Sequence, residues 1–363
     1  LPKRNKMKVY FKFLTYIFLR SLLFVFLVTF SLVLILNVLT ELDFFKDINV
    51  ETNFTLFLAF LNSPSLTFEI FPFIFLVTTQ MFFLKLFENK EIEILKYSGF
   101  KNTRIILILS VLSFISGLFV TIFFYHFSSS LKNFYLELKS PHTNDGKYLA
   151  VVTKNGLWIK DKIKENILII NSSKIDQNYL IDNLISEFDK NFKSIRNIQS
   201  EKIDISRKEW IVFNPKIYRN NTYENLDQII LKTSFDYKRI RSLYSNLASL
   251  NIFELFELKR NYKKLNYSTT EIDLQIYKLA TYPFFLLLMA LFSALIMLKI
   301  KQINSSTFKI SLGLFFSVII YYLNNFFYVM GSTERLSLLI SIFMPLLLLA
   351  LVNSFMSIRI NEK

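Results

Sequence analysis

Residues 13–38 read FLTYIFLRSLLFVFLVTFSLVLILNV, an apolar run that carries one charge, Arg20. At about 1.5 Å of rise per residue, a helix of this length outruns the roughly 30 Å hydrocarbon core of a bilayer. Comparable runs follow at 70–87, 105–127, 276–298, 308–330 and 336–358, each with at most one or two charges. The pattern predicts an α-helical membrane protein with three spans, a long polar insert, then three more spans. The insert is then the only soluble folded part.

Lys3, Arg4, Lys6, Lys8 and Lys12 precede the first run, with no acid before Glu41. The run is too long for a signal-peptide core and lacks a small-residue cleavage site, so it reads as a retained first helix. Lysine and arginine in the short connections set the orientation. The segment 85–104 carries five of them and 299–309 carries three, whereas 41–51 holds four acids against Lys46 alone. Both termini are therefore expected in the cytoplasm, with the insert on the far side.

A hydrophobic content of 52% and 41 phenylalanines fit lipid-facing helices. The net charge of +15 is spread along the chain and much of it is topological, so it does not argue for nucleic acid. It fits a mildly basic outer domain, or one attracted to anionic headgroups. With no cysteine, an exported domain has to rest on a core or on neighbours rather than on disulfides.

Inside the insert, alternation of two-residue period replaces the helical pattern. Short strands are expected at 148–152, 157–159, 167–170, 203–205, 210–213 and 229–233, with a hairpin turn at Asn155-Gly156. Their spacing suggests an antiparallel sandwich, a jelly roll or an open barrel, whose interior is either packed shut or able to hold an acyl chain. The segment 252–265, IFELFELKRNYKKL, reads as an amphipathic helix with apolar positions Ile252, Leu255, Phe256 and Leu258, leading back to the membrane.

The chemistry-bearing residues mostly exclude functions. The glycines, at 99, 117, 146, 156, 313 and 331, cannot build a phosphate-binding loop of the Gly-x4-Gly-Lys type. His126 and His142 have no partner at metal-ligand spacing, no cofactor site is evident, and no nucleophile elbow or carboxylate pair appears. Glu69 stands at the outer start of the second span, where an ionisable group is either functional or in reach of interfacial water. The connection Glu88–Phe100 reads as a short helix presenting Ile92 and Leu95 beside alternating charges and stopped at Gly99. Such a helix between two spans is either an ordinary surface helix or a coupling element.

Several strings in this order resemble the LptF/LptG (YjgP/YjgQ) family, the permease subunits of the lipopolysaccharide-exporting ABC transporter. They are Ser63-Pro64 with Ile70-Phe71-Pro72; Glu91 with Leu95-Lys96-Tyr97-Ser98-Gly99-Phe100; Asn155-Gly156-Leu157-Trp158-Ile159-Lys160-Asp161; and Tyr321-Tyr322-Leu323-Asn324-Asn325 with Met344-Pro345. The Gly-Leu-Trp strand and the Tyr-Leu-Asn run favour the LptG branch.

The resemblance implies a non-catalytic six-span subunit: spans 1–3 within 1–130, a periplasmic β-jelly-roll-like domain with its connecting helix in 131–268, and spans 4–6 in 269–363. It implies residence in the bacterial inner membrane and a heterodimer with a second LptF/LptG-type permease. A cytoplasmic LptB-like ATPase dimer, a single-span LptC-like jelly-roll protein and a soluble LptA-like bridge protein would complete the path for lipopolysaccharide. Glu91 matches the family's acidic docking residue, with Ile92, Leu95 and Gly99 in the same coupling loop. Candidates for the lipid path are Lys46, Glu69, Leu157, Ile159, Ile169 and Trp210. The chain departs from the family where basic residues often end span one, since only Lys46 carries over. It also departs at Tyr125-His126-Phe127-Ser128, where an acid and a proline are common; both changes leave the headgroup of the exported glycolipid open.

Two readings of other classes compete. A lipid-modifying membrane enzyme would need Glu69, His126, Glu271 and Asp273 gathered into a site, and an extracytoplasmic sensor would need a cytoplasmic output module.

Overall fold

The computed structural model describes residues 2–46, 50–139, 142, 157–163, 166–176, 178–219, 222–233, 237, 246–264, 268–299 and 306–358. The chain divides into a helical unit, Leu1–Lys132 with Thr270–Lys363, and a second unit, Asn133–Thr269. The expected strand at 148–152, the Asn155-Gly156 turn, and the charges Lys301, Arg359 and Lys363 lie outside the described residues.

In the helical unit, α1 (Pro2–Phe44) is followed by α2 (Thr52–Glu69), α3 (Phe71–Glu88), α4 (Glu91–Tyr97) and α5 (Asn102–Phe119). A π turn at Val120–Phe124 joins α5 to α6 (Tyr125–Lys139). Six helices are long and apolar enough to span a bilayer, at Val9–Phe44, Phe71–Glu88, Asn102–Lys139, Thr270–Lys299, Ile310–Ser332 and Leu338–Ser357. The third runs on to Lys139 instead of stopping at 127, because the wider π turn admits an extra residue without ending the helix.

The sequence reading had no helix for α2. Its Asn62-Ser63-Pro64-Ser65 stretch looks like a turn, and Pro64 removes one helical N–H. Side chains keep it helical: Ser63 Oγ donates to the Ala59 carbonyl (2.6 Å) and Thr67 Oγ1 to that of Ser63 (2.8 Å). Asn37 of α1 ties it down, donating from Nδ2 to the Ala59 carbonyl (2.7 Å) and accepting from Asn62 Nδ2 (3.2 Å). In hydrocarbon, where lipid offers no hydrophobic drive between helices, such bonds and close small-residue packing hold the bundle.

After the β-strands come α7 (Ile252–Lys264), which belongs to the second unit, and α8 (Thr270–Lys299), α9 (Ser306–Ser332) and α10 (Leu338–Ser357) of the helical unit. In α8, Ser293 Oγ reaches the Leu76 carbonyl (2.8 Å) and the Tyr282 hydroxyl reaches that of Phe68 (2.5 Å), while Asn353 of α10 reaches Leu288 (2.9 Å). Gly117 lies so near Pro283 that an added Cβ would sit 3.2 Å from its Cα. These contacts make α3 and α8 the centre, whereas few residues of the first and of the fifth span are buried within the chain.

The second unit carries the inserted all-β domain and α7. Its antiparallel strands are β1 (Leu157–Ile163), β2 (Asn166–Asp176), β3 (Tyr179–Phe188), β4 (Ser194–Asp204), β5 (Glu209–Phe213), β6 (Lys216–Arg219), β7 (Thr222–Asn225) and β8 (Gln228–Lys232). They are ordered β1-β2-β3-β4-β5-β8, with β6 also on β4 and β7 on β6. A row of isoleucines crosses the inner face in register, Ile159–Ile170–Ile185–Ile198–Ile217, all buried. In α7, Asn251 and Glu254 cap reciprocally, each backbone N–H donating to the other's side chain (2.8 and 3.0 Å). Its expected apolar stripe is only partly inward: Leu255 and Leu258 are buried, but Phe256 is exposed beside Phe253.

Candidate functional site

The connection between α3 and α5 is built by local backbone chemistry. Lys90 takes a left-handed φ of 53° and turns the chain into α4. At the other end Gly99, at φ 82°, closes a two-bond cap: its N–H donates to the Lys96 carbonyl (2.9 Å) and that of Phe100 to Leu95 (2.9 Å). This is the Schellman arrangement, in which the residue beyond the glycine also packs back on the helix. Phe100 does so, sharing a buried cluster with Leu95, Ile92, Leu14, Phe18, Phe82, Phe83, Leu86, Ile105 and Met297.

Ile92 and Leu95, expected to be presented by this helix, are thus each only 2% exposed and anchor it inward. In a seven-residue helix the pairs 92/95 and 94/97 have the same spacing, so periodicity cannot choose between the faces. The outward face carries Glu93, Ile94 (57% exposed) and Tyr97 (90% exposed). Glu91, half-buried in the first turn, accepts from Asn89 Nδ2 on Oε1 (3.4 Å), while its Oε2 is buried with no hydrogen-bond partner. The helix is fastened at its far end as well, since the Tyr10 hydroxyl donates to Ser98 Oγ (3.0 Å) and the Tyr10 and Phe100 rings meet edge-on at 4.9 Å.

At the other end of the helical unit, Lys46 is exposed just past α1, and Glu69 is the exposed last residue of α2. Lys132, Lys278, Tyr282 and Tyr328, from α6, α8 and α9, lie within electrostatic reach of Glu69, and Lys278 Nζ stands 5.3 Å from the centre of the Tyr328 ring. Sequence reading named Glu69 without this company, because its neighbours come from spans far apart in the chain.

In the β-domain, Leu157, Ile159 and Trp210 point inward and are buried, so the interior is closed. Ile169 does not join them. It pairs with Lys160, one residue out of step with the Ile159–Ile170 pair, and lies half-buried on the opposite face. Among the described residues no group of three or more histidines, cysteines or acids could hold a metal ion.

The family model described as lipopolysaccharide export system permease LptF/LptG matches residues 12–359. No curated protein matches the chain.

Proposed function

Because the chain belongs to the LptF/LptG family of lipopolysaccharide export permeases, we propose that it is one arm, of the LptG kind, of a permease heterodimer that takes lipopolysaccharide from the periplasmic leaflet of the inner membrane. The observation that carries this reading is the uneven covering of the spans. Spans one and five leave most of their apolar surface outside the chain's own core, as expected of helices that face a partner subunit and a lipid held between the two.

In this reading a cytoplasmic LptB-like ATPase dimer docks on α4, with Glu91 in its first turn and Ile94 and Tyr97 on its outward face. Both termini are cytoplasmic and the β-domain is periplasmic, where LptC-like and LptA-like partners continue the path. Closure of the cavity between spans one, two and five and those of the partner displaces the lipid. Acyl chains that meet water cost about 0.8 kcal/mol per CH₂, so an apolar interior opened for their passage removes most of that penalty. Leu157, Ile159 and Trp210 supply the apolar lining, while Lys46 and the Glu69 group meet the headgroup end.

Photo-crosslinking in the purified complex tests this. Groups placed at 157 and 159 should capture glycolipid, and those at 158 and 160 should not, since alternate side chains face opposite sides of a sheet. Capture should require ATP and the ATPase. No adduct in a complex that hydrolyses ATP and releases lipid leaves the domain as a scaffold only.

A further inference from the structure

The β-sheet has a fault line that runs across its strands. β5 and β6 pair with β4 in a single register: Asp204 with Ile211 and Lys202 with Phe213 on one side, Gln199 with Lys216 and Asn197 with Tyr218 on the other. β7 and β8 likewise pair with this composite strand in one register, from Glu209–Lys232 to Arg219–Thr222. The apparent branching is therefore two long strands, each interrupted once. Ladder pairing is also skipped between Ser173 and Asp182 and between Asp182 and Glu201. Read across the sheet, the interruptions form one row: Ser173, Asp182, Glu201, Asn214, Asp227.

Three independent features coincide on that row. Asp182 and Asn214 have left-handed φ values of 50° and 45°, a region that residues other than glycine seldom adopt and that short polar types tolerate best. The inward–outward alternation slips by one residue on three neighbouring strands: the buried positions flanking the row are 180 and 183, 200 and 203, and 212 and 215, three apart rather than two. At the row's edge a backbone bond remains, the Asn214 N–H donating to the Asp227 carbonyl (2.9 Å), and further in side chains bridge the gap. Asn183 Nδ2 donates to the Leu180 (3.0 Å) and Ser200 (3.3 Å) carbonyls, and Ser200 Oγ lies 2.9 Å from the Lys202 carbonyl and 2.7 Å from that of Phe213. Ser172 Oγ donates to Asn183 Oδ1 (2.5 Å). A buried polar band thus separates two apolar cores, the isoleucine row on one side and Leu180, Ile203, Val212, Trp210 and Leu231 on the other.

We propose that this row is a hinge about which the β-domain opens as two leaves, β1 with 166–172, 183–200, β6 and β7 in one, and 174–176 with 179–181, 202–213 and β8 in the other. Each leaf keeps its own apolar row and ladder, so flexing about the row works on a few side-chain hydrogen bonds and the Asn214–Asp227 backbone bond and leaves the apolar rows packed. The left-handed positions interrupt the ladder without shifting its register, and aligned across the sheet they mark one line along which the pairing is weakest. The hinge rests on the proposed passage of lipid only for its purpose, because it gives a closed interior a way to admit a chain.

The absence of native cysteine makes spin labelling direct. Labels at Ile195→Cys and Ile230→Cys, both at exposed sites, report across the row, and a pair at Ile195→Cys and Tyr223→Cys reports within one leaf. From Asn214 to Glu209 the second leaf extends about 17 Å at roughly 3.4 Å per residue, so a swing of roughly 20° moves its tip by about 6 Å. In the complex with the ATPase, the cross-row distance should broaden or shift by several ångströms between ATP-free and hydrolysing samples, and the within-leaf distance should not. A cross-row distance as narrow and as constant as the control overturns the hinge. Movement across the row without lipid adducts at 157 or 159 leaves the hinge standing and removes the lipid passage instead.

Discussion

Truncating Tyr97 to alanine separates docking from folding. The ring is 90% exposed, so the chain loses almost no packing and its own stability should change by no more than about 0.5 kcal/mol, the range of ordinary surface substitutions. Aromatic anchors that fill a partner's pocket cost about 2 kcal/mol or more when truncated. At 1.4 kcal/mol per factor of ten, that is a loss of roughly thirtyfold in affinity. Leu95→Ala, two residues away on the inward face, does the opposite. It empties a side chain that is 2% exposed in the cluster joining α1, α3, α4 and α5 and should lower stability by about 2–5 kcal/mol. The assay titrates the ATPase onto the purified, detergent-solubilised permease and records thermal unfolding of the same samples. Tyr97→Ala that binds the ATPase within about twofold of wild type would refute the assignment of the outward face, because a ring this exposed has no other way to leave binding untouched.

Glu91→Lys should insert and fold yet lose the ATPase on purification, or hydrolyse ATP without exporting lipid, since it reverses the charge in the first turn of α4; normal association together with normal lipid transfer excludes a docking role. A reporter active only outside the cytoplasm should be active when fused after Asn155 and silent after Asn304, and the opposite pattern inverts the topology. Gly117→Leu should weaken the contact of α5 with α8, because its Cβ alone would stand 3.2 Å from the Pro283 backbone, which cannot swing aside; a detergent unfolding midpoint equal to wild type counts against that packing.

The spans were legible because hydrocarbon imposes one requirement on length and polarity, and residues 13–38 meet it in isolation. α2 was not, since Pro64 and its polar neighbours carry the composition of a turn and become helical through bonds to Asn37, which periodicity does not see. β3 was missed for a related reason. Its inward residues, Leu180, Asn183 and Ile185, break two-residue alternation at the row of left-handed positions, and the middle one is polar. The short helix between α3 and α5 was legible from its charges and its glycine stop, while its buried face was not, because seven residues hold two equally spaced apolar pairs. The company of Glu69 needed the packing of α2, α6, α8 and α9, which no local stretch encodes.

The distribution of buried clusters also determines how a force on α4 travels. The cluster that anchors α4 draws residues from α1 (Leu14, Phe18), α3 (Phe82, Leu86), α5 (Ile105, Leu109) and α8 (Ala294, Met297), and none from α9 or α10. Close-packed interiors transmit strain and resist compression, so a displacement of α4 is delivered to spans one to four as a block. α9 is attached differently. Leu312 and Ile320 lie partly buried against a second cluster, formed by Leu76, Phe285, Met289, Phe292, Ile296 and Leu349. Gln80 Nε2 reaches the Ile310 carbonyl only at 3.5 Å, over Gly313, where a Cβ would collide with the Gln80 amide at 2.0 Å. The glycine at that crossing lets α9 approach α3 closely, and the Tyr321 and Phe316 rings add contacts to Phe73 (5.7 Å) and Phe292 (5.9 Å). Of the two sparsely covered spans, the first therefore shares a buried cluster with α4 and the fifth does not; under the proposed function, that difference in attachment lets a push on α4 change the width of a cavity bounded by both.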